Sequence, residues 1–494
     1  MKNLQSDVVI IGSGPAGQKA AIQAAKFGKQ VIVVERDPSP GGACLYSGTI
    51  PSKTFRESVV DLTRFYDRHF EGQDYILPEV TISDLNKRLH TVIVEEQEMI
   101  ARQFKSNGIQ CIKGSARFEN QNTLLVVDDN YRLIYQIKAN VFIIATGSSP
   151  RNPTDVPFDK EVILDSSTLL QIGRVPKSMI VLGGGIIGSE YASFFAALGT
   201  EVFVIDRRDR MLPMLDAEIG IHLQTALTDI GLKFSGQKEP IEIARRDDHA
   251  FVKFKDGSIL EAEVLLYALG RTANVEALHL DNTGIQVDPK GYIPVNALFQ
   301  TIIPHIYAVG DVIGGPCLAS TSMEQGRLAA LHACGAQTHH FPTFYPVGIY
   351  TIPEISCCGY TEEELKYWGF HYEVGRAHFY EIARSHIVSD NSGLFKIIFH
   401  AETLEILGVH VIGRNATEVI HIGQVAISLR AHLDYFIDHI FNYPTYAEGY
   451  RIAALNGINK IKFKKIDFFG SWLFLKKLIF FEIAYGRYDR KIWD

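Results

Sequence analysis

One glycine pattern is written twice in this chain, each time between two apolar runs. The first copy reads Asp7-Val8-Val9-Ile10-Ile11, then Gly12-Ser13-Gly14-Pro15-Ala16-Gly17, a helical stretch from Gln18 to Phe27, and Val31-Ile32-Val33-Val34-Glu35. Strand, glycine turn, helix and strand make a complete β-α-β unit, and each glycine has a physical task. Gly12 makes the tight turn, Gly14 lets a pyrophosphate approach the backbone, and Gly17 lets the helix pack close to the strand. The helix N-terminus presents amide donors and the positive end of its dipole to phosphate. Glu35 ends the second strand, where a carboxylate accepts hydrogen bonds from a ribose hydroxyl.

The second copy runs Ser178-Met179-Ile180-Val181-Leu182, Gly183-Gly184-Gly185-Ile186-Ile187-Gly188, a helix through Leu198, and Glu201-Val202-Phe203-Val204-Ile205. Both fingerprints are intact, so two dinucleotide sites are expected. Behind the second strand stand Asp206-Arg207-Arg208. An acidic residue there suits the free ribose hydroxyls of NAD, and arginines suit the 2′-phosphate of NADP. This mixture excludes neither nucleotide.

At 494 residues the chain needs more than one core. The fold class expected is α/β: two Rossmann-like dinucleotide-binding domains and a C-terminal α+β dimerisation domain. Val141 to Ser148 is a buried strand ending in small residues, and the proline-containing loop Pro150 to Pro157 follows. The expected division is therefore 1–150 for the first part of one nucleotide domain and 151–275 for the second nucleotide domain. Residues 276–341 then return to the first, 342–460 form the third piece, and 461–494 are an extension. Leu265 to Arg271, with Gly270 in its turn, closes the second unit as Val141 to Ser148 closes the first. Ile306 to Gly310 carries a strand to a Gly-Asp corner, where Asp311 is placed to hold a sugar-alcohol hydroxyl.

A net charge of -7 gives no basic field, so nucleic acid is not expected as a partner. The N-terminus runs into its first strand without the apolar core and cleavage site of a signal peptide, which makes a cytoplasmic protein the expectation. None of the six cysteines has the spacing of a zinc or redox pair, and no metal site is expected.

With these residues in view, the chain resembles the pyridine nucleotide-disulfide oxidoreductase family over about residues 5 to 460. Six segments occur in that family's order: the Gly12 fingerprint, Gly41-Gly42-Ala43-Cys44, Ile50-Pro51-Ser52-Lys53, Ala145-Thr146-Gly147, the Gly183 fingerprint with Glu190, and Thr301 to Asp311. The resemblance implies that the Gly12 unit, Glu35 and Asp311 hold FAD. It assigns the nicotinamide nucleotide to Gly183, Gly185, Gly188, Asp206, Arg207 and Arg208. Arg36, Cys44, Thr49, Lys53, Thr146, Gly147, Glu190, Gly270 and Gly310 complete the implied cofactor lining. The third piece would form a homodimer interface, with higher oligomers left open.

Two departures from the family pattern bear on chemistry. Disulfide-reducing members carry C-x4-C, whereas Cys44 is followed at the partner position by Thr49. They also carry a His-Pro dipeptide near the C-terminus with a glutamate close by, and here the stretch is Tyr443-Pro444 with Glu448. A tyrosine, with a reference pKa of about 10, is a poor proton shuttle at neutral pH. Loss of both relays is similar to what the soluble pyridine nucleotide transhydrogenases show, and that resemblance implies a Si-specific, ping-pong transfer of hydride from NADPH to NAD. FAD, NADP(H) and NAD(H) are then the cofactors and substrates. By the same carry-over Lys53 lies near the flavin and pairs with Glu190, and these two are the catalytic candidates. Cys44 is expected as a small packing residue.

Two alternatives stand beside this. A quinone or dye reductase also needs no thiol pair, and a low-turnover redox-sensing scaffold could attach to a membrane through its tail. That tail contains the aromatic and basic run Phe468 to Phe481, too short to span a bilayer, which needs about 20 apolar residues. Packing across the body or the dimer is the expected role, with peripheral membrane contact through residues 461–494 the other reading.

Overall fold

The computed structural model describes residues 1–69 and 80–461, so the aromatic run of the tail lies outside the described residues. Its first layer is a seven-stranded sheet. Gln110–Lys113, Val31–Glu35, Lys2–Ile11 and Leu133–Ile144 lie side by side in parallel, and Ile306–Ala308 adds to the last of these. Thr123–Val127 and Ser115–Asn120 complete it as an antiparallel meander. Val8 to Ile11 are buried on both faces, as an interior parallel strand requires. The strand begins at Lys2 rather than Asp7, because Lys2 to Ser6 pair in register with Tyr135 to Ala139 while largely facing solvent.

The register brings four carboxyl ends to one edge: Ile11 pairs Val34 and Ile144, and Ala308 also pairs Ile144. Everything that follows these strands converges there, at the point where strand order reverses. The helix Pro15–Lys26 starts directly below, with proline in its first turn, where a missing N–H costs nothing. Its buried face is Ala16, Ala20, Ala21 and Ala24, and the helix Ala319–Ala333 packs on it. A Cβ on Gly326 of that second helix would stand 2.1 Å from the Ala16 carbonyl oxygen, so only glycine at this position allows the approach.

The second layer repeats the scheme. Lys233–Ser235, Glu201–Ile205, Ser178–Leu182, Val264–Tyr267 and Ile163–Leu164 form a five-stranded parallel sheet. A three-stranded antiparallel sheet, Pro240–Arg246, His249–Phe254 and Ile259–Ala262, packs on its flank. The chain crosses between layers through a two-stranded ribbon of Ser148–Pro150 with Arg271–Ala273.

The C-terminal piece is a five-stranded antiparallel sheet, ordered Val347–Ile349, Ile355–Gly359, Ile406–Ile412, Leu394–His400 and Tyr372–His378. The helices Ala416–Ser428 and Glu448–Ile458 cover it. One core joins all three pieces: the Phe55 ring packs at a tilt against Phe194 and Phe195, 6.2 and 5.8 Å between centroids, in the same cluster as Ile349, Ile355 and Leu394. Each buried phenylalanine is worth about 2 kcal/mol of transfer free energy.

Charge also joins the pieces. Lys396, only 1% exposed on the strand Leu394–His400, reaches Asp216 at 2.6 Å and Glu218 at 2.9 Å on the second nucleotide unit, and also bonds Glu362. Arg376 closes on Glu218 at 2.7 Å. These acids form the single carboxylate group with metal-like spacing among the described residues, and the Lys396 ammonium sits among them. Among the described residues, no helix is long and apolar enough to cross a membrane.

Candidate active site

The carboxyl edges of the two parallel sheets face one another across a single cavity of about 1840 Å³. Every cofactor residue expected from the sequence lines it except Gly17 and Gly188. Those two lie behind the turns: a Cβ on Gly17 would stand 2.0 Å from the Gly12 carbonyl oxygen, and one on Gly188 1.9 Å from that of Gly183. Gly12 and Gly183 adopt φ of +99° and +112°, conformations open to glycine and strained for other residues. In front of the turns, Gly14 and Gly185 face open space at the starts of the helices Pro15–Lys26 and Ile186–Ala197.

In the first unit Glu35 is buried and well held. Its Oε2 accepts from the Ser13 amide at 2.8 Å and from the Ser13 hydroxyl, and its Oε1 accepts from the Asp37 amide at 2.9 Å. Arg36 lies beside it on the cavity wall. On the other side of the same cleft, Asp311 accepts from the Ser148 hydroxyl at 2.6 Å, and Arg271 donates to that hydroxyl at 2.8 Å. Asn274 fixes the loop after the strand Leu133–Ile144 by donating to the Thr146 carbonyl at 2.9 Å. The Thr146 hydroxyl is buried in this loop with no protein partner among the described residues.

In the second unit the buried Asp206 receives the Gly184 amide at 2.7 Å and the Arg208 amide at 2.9 Å. The Arg208 guanidinium adds a bidentate clasp, Nε at 2.9 Å and Nη2 at 2.6 Å. Burial alone would push the Asp206 carboxyl up, but Arg208 and the two amides outweigh it and hold the group below the ordinary carboxylate value. Arg207 points outward, 73% exposed, with Glu239 no closer than 3.9 Å.

The units meet at Lys53. Its ammonium donates to both oxygens of the buried Glu190, at 2.9 and 2.7 Å, and stands 4.9 Å from the centre of the Tyr350 ring. The Tyr350 amide donates to Glu190 Oε1 at 2.9 Å, so the C-terminal sheet fixes the carboxylate that fixes the lysine. Ser13, Ser148, Arg271 and Tyr350 are site residues that sequence reasoning did not single out. Ser13 lies inside a fingerprint and Arg271 beside Gly270, but nothing local marks Tyr350, which arrives from another sheet.

Cys44 is a free thiol on the short helix Gly42–Tyr46, facing Thr49 at the start of the helix Thr49–His69. Burial pushes the thiol up, against a hydrogen bond from Thr49 and the charge of Lys53, which pull it down. The net shift is upward, so the thiol stays protonated at neutral pH and is a poor nucleophile. Tyr443 lies apart from this cavity, 72% exposed, while Glu448 Oε2 is buried without a protein partner among the described residues.

Comparison with known proteins gives a consistent picture. The family model for pyridine nucleotide-disulphide oxidoreductases matches residues 6–326, and the model for the dimerisation domain of the same family matches residues 345–454. The soluble pyridine nucleotide transhydrogenase of Mycobacterium bovis (strain BCG / Pasteur 1173P2) is 44% identical over 457 residues, covering 92% of this chain and 98% of that protein. That of Shigella boydii serotype 18 is 41% identical over 459 residues, with the same coverage of 92% and 98%. Among solved structures, LpdA from Mycobacterium tuberculosis superposes with a TM-score of 0.84 at 26% identity, over 92% of this chain and 99% of that one.

Proposed function

The chain belongs to the pyridine nucleotide-disulphide oxidoreductase family, and we propose that within it the protein is a Si-specific transhydrogenase, working as a cytoplasmic homodimer. FAD and NAD(P)H are the cofactors of this family, and NADPH and NAD are the substrates of a transhydrogenase. Bound FAD supplies two-electron chemistry, so that hydride leaves NADPH and reaches NAD in ping-pong order, giving NADP and NADH with no net proton.

The residues suit these ligands. Two glycine turns, each opening a helix, give amide donors for two pyrophosphates. The open faces of Gly14 and Gly185 leave room for backbone approach. The buried Thr146 hydroxyl, without a partner among the described residues, is a polar atom suited to a ligand in the flavin cleft. In this reading Glu35 accepts from the adenosine ribose of FAD, and Asp311, polarised by Ser148 and Arg271, accepts from the sugar-alcohol chain. Arg36, Thr49, Gly147 and Gly310 line that cleft, and Gly270 lines the nicotinamide side. Lys53 holds a positive charge where electron density collects on reduction, and Glu190 keeps that charge in place.

One observation carries the proposal. Where a relay to a disulfide substrate would need a second sulfur, Cys44 meets the hydroxyl of Thr49. In the sequence, Tyr443 likewise takes the position at which the disulfide-reducing members carry an acid-base histidine. Electrons then have no protein carrier out of the cavity, and an acceptor that enters it, a second nicotinamide, requires none.

The test is anaerobic stopped-flow absorbance of the flavin. NADPH should bleach it, and thio-NAD added next should restore it while thio-NADH appears. A flavin that stays reduced with thio-NAD and recovers only with a quinone would replace the proposal by a quinone reductase.

A further inference from the structure

An acidic residue at the end of the second strand is the natural acceptor for ribose hydroxyls, yet Asp206 has nothing left to accept with. A carboxylate offers about four lone-pair positions. Oδ2 is occupied by the Gly184 amide and Arg208 Nη2, and Oδ1 by the Arg208 amide and Arg208 Nε. Arg208 is less committed. Its Nη1 has no partner among the described residues, and its side chain is 45% exposed at the cavity wall.

We propose that Arg208 is a two-position latch that decides which nucleotide the second unit accepts: closed on Asp206 it receives the 2′-phosphate of NADP(H), and swung away it frees Asp206 for the ribose of NAD(H). In the closed position the clasp cancels the carboxylate charge that would otherwise repel a phosphate, and leaves Nη1 to donate to it. Arg207 beside it, paired only loosely with Glu239 at 3.9 Å, adds a second positive charge. In the open position the two backbone amides still hold Asp206 in place, and two lone-pair positions are released, one for each ribose hydroxyl. The guanidinium is 45% exposed and can turn into water, but the clasp it leaves is bidentate on a carboxylate only 5% exposed, so opening is offset by the two ribose hydroxyls that take its place. An acid alone would reject the phosphate and arginines alone would not select the bare ribose, so admitting both in turn calls for a movable partner.

The inference rests on residues 183–208 being the nicotinamide-nucleotide unit, and its test avoids hydride transfer altogether. ADP-ribose and 2′-phospho-ADP-ribose carry the distinguishing group and no nicotinamide. Calorimetric titration of the FAD-loaded protein should find both binding to the native chain. Arg208→Ala should weaken 2′-phospho-ADP-ribose by about 10- to 100-fold, as expected for lost charge-assisted hydrogen bonds. The same variant should leave ADP-ribose unchanged or tighter. Arg208→Lys, which keeps the charge and loses the fork, should fall between. Asp206→Asn should show the reverse bias, weakening ADP-ribose more than its phosphorylated counterpart. Equal weakening of both ligands by Arg208→Ala, weakening of ADP-ribose alone, or no change in either would overturn the latch. Native protein that swaps ligands as described but cannot pass electrons to thio-NAD would keep the latch and remove the transhydrogenase. Unchanged flavin content shows in each case that the variant has folded.

Discussion

The two glycine units repeat one another down to single hydrogen bonds, and then differ in one donor. In each, the amide of the residue after the first glycine, Ser13 or Gly184, donates to the acid that ends the second strand. In each, the amide two residues beyond that acid, Asp37 or Arg208, donates to its other oxygen. The next donor is the neutral Ser13 hydroxyl in the first unit and the charged Arg208 guanidinium in the second. Glu35 therefore keeps its charge and an acceptor position, while Asp206 has its charge cancelled and its positions filled. Fold alone makes a nucleotide cradle, and the third donor tunes what the cradle accepts. In the function proposed here, the unit that keeps one ligand can be wired permanently, whereas the unit that would exchange ligands needs wiring that comes undone.

The largest perturbation should come from the glycines behind the turns. Gly17→Ala and Gly188→Ala each drive a Cβ into a carbonyl oxygen and should destabilise their unit by about 2–3 kcal/mol. The comparison predicts different failures: Gly17→Ala purifies with little flavin, and Gly188→Ala keeps its flavin but is not bleached by NADPH. Equal flavin loss in both, read from visible absorbance, would break the one-ligand-per-unit assignment.

A smaller effect is expected where the units meet. Glu190→Gln leaves the Lys53 ammonium without its carboxylate and should slow flavin reduction by about 10- to 100-fold, as for a charge-assisted bond worth about 1.5–3 kcal/mol. Lys53→Arg, which keeps the positive charge against Glu190, should slow reduction less than Glu190→Gln does. An unchanged reduction rate in Glu190→Gln would remove both from the catalytic assignment.

Acid should separate the units more gently. The Asp206 carboxyl lies below its ordinary value in the folded chain, so the unfolded state binds the extra proton first. Its contribution to the second unit is present above the unfolded value of about 3.9 and is lost as pH falls through the depressed folded one. The melting temperature of the ligand-free protein should therefore show no loss from this pair between neutral pH and about pH 5. A fall already between pH 7 and 6 would point to a different titrating group. The smallest effects belong to Thr49→Ala and Tyr443→Phe, where transhydrogenation should stay within about fivefold of the native rate, the scale of one ordinary hydrogen bond. Collapse of activity in either, with flavin retained, would show that the residue acts in the reaction.

How much of this was legible before the structure depended on which signals are local. Val8 to Ile11, Val31 to Glu35, Met179 to Leu182 and Val202 to Ile205 read as strands because buried parallel strands are apolar on both faces. The amino-terminal extension of the first strand and the two antiparallel meanders escaped notice. Residues such as Glu119, Glu242 and Arg246 break their apolar runs, and no nucleotide fingerprint anchors them. The family resemblance named the residues around the cavity, and their convergence follows from strand register. Arg208 was visible two positions after Asp206, but spacing does not say whether an arginine turns inward to a carboxylate or outward like Arg207. Tyr350 and Lys396 were beyond reach, since each meets partners from more than a hundred residues away.

The buried lysine between the second nucleotide unit and the C-terminal sheet has a consequence for motion. Lys396 and Asp216 are 1% and 0% exposed, and any rotation that parted the two bodies would break this pair together with the bonds of Lys396 and Arg376 to Glu218. Breaking a buried pair costs about 3–5 kcal/mol, which disfavours that hinge. The second unit is thus bolted to the sheet that carries the dimerisation motif, and in the exchange we propose one nucleotide would replace another by side-chain traffic at the rim of a standing cleft. Built this way, the cleft would trade ligands through a turnstile while its walls stay still.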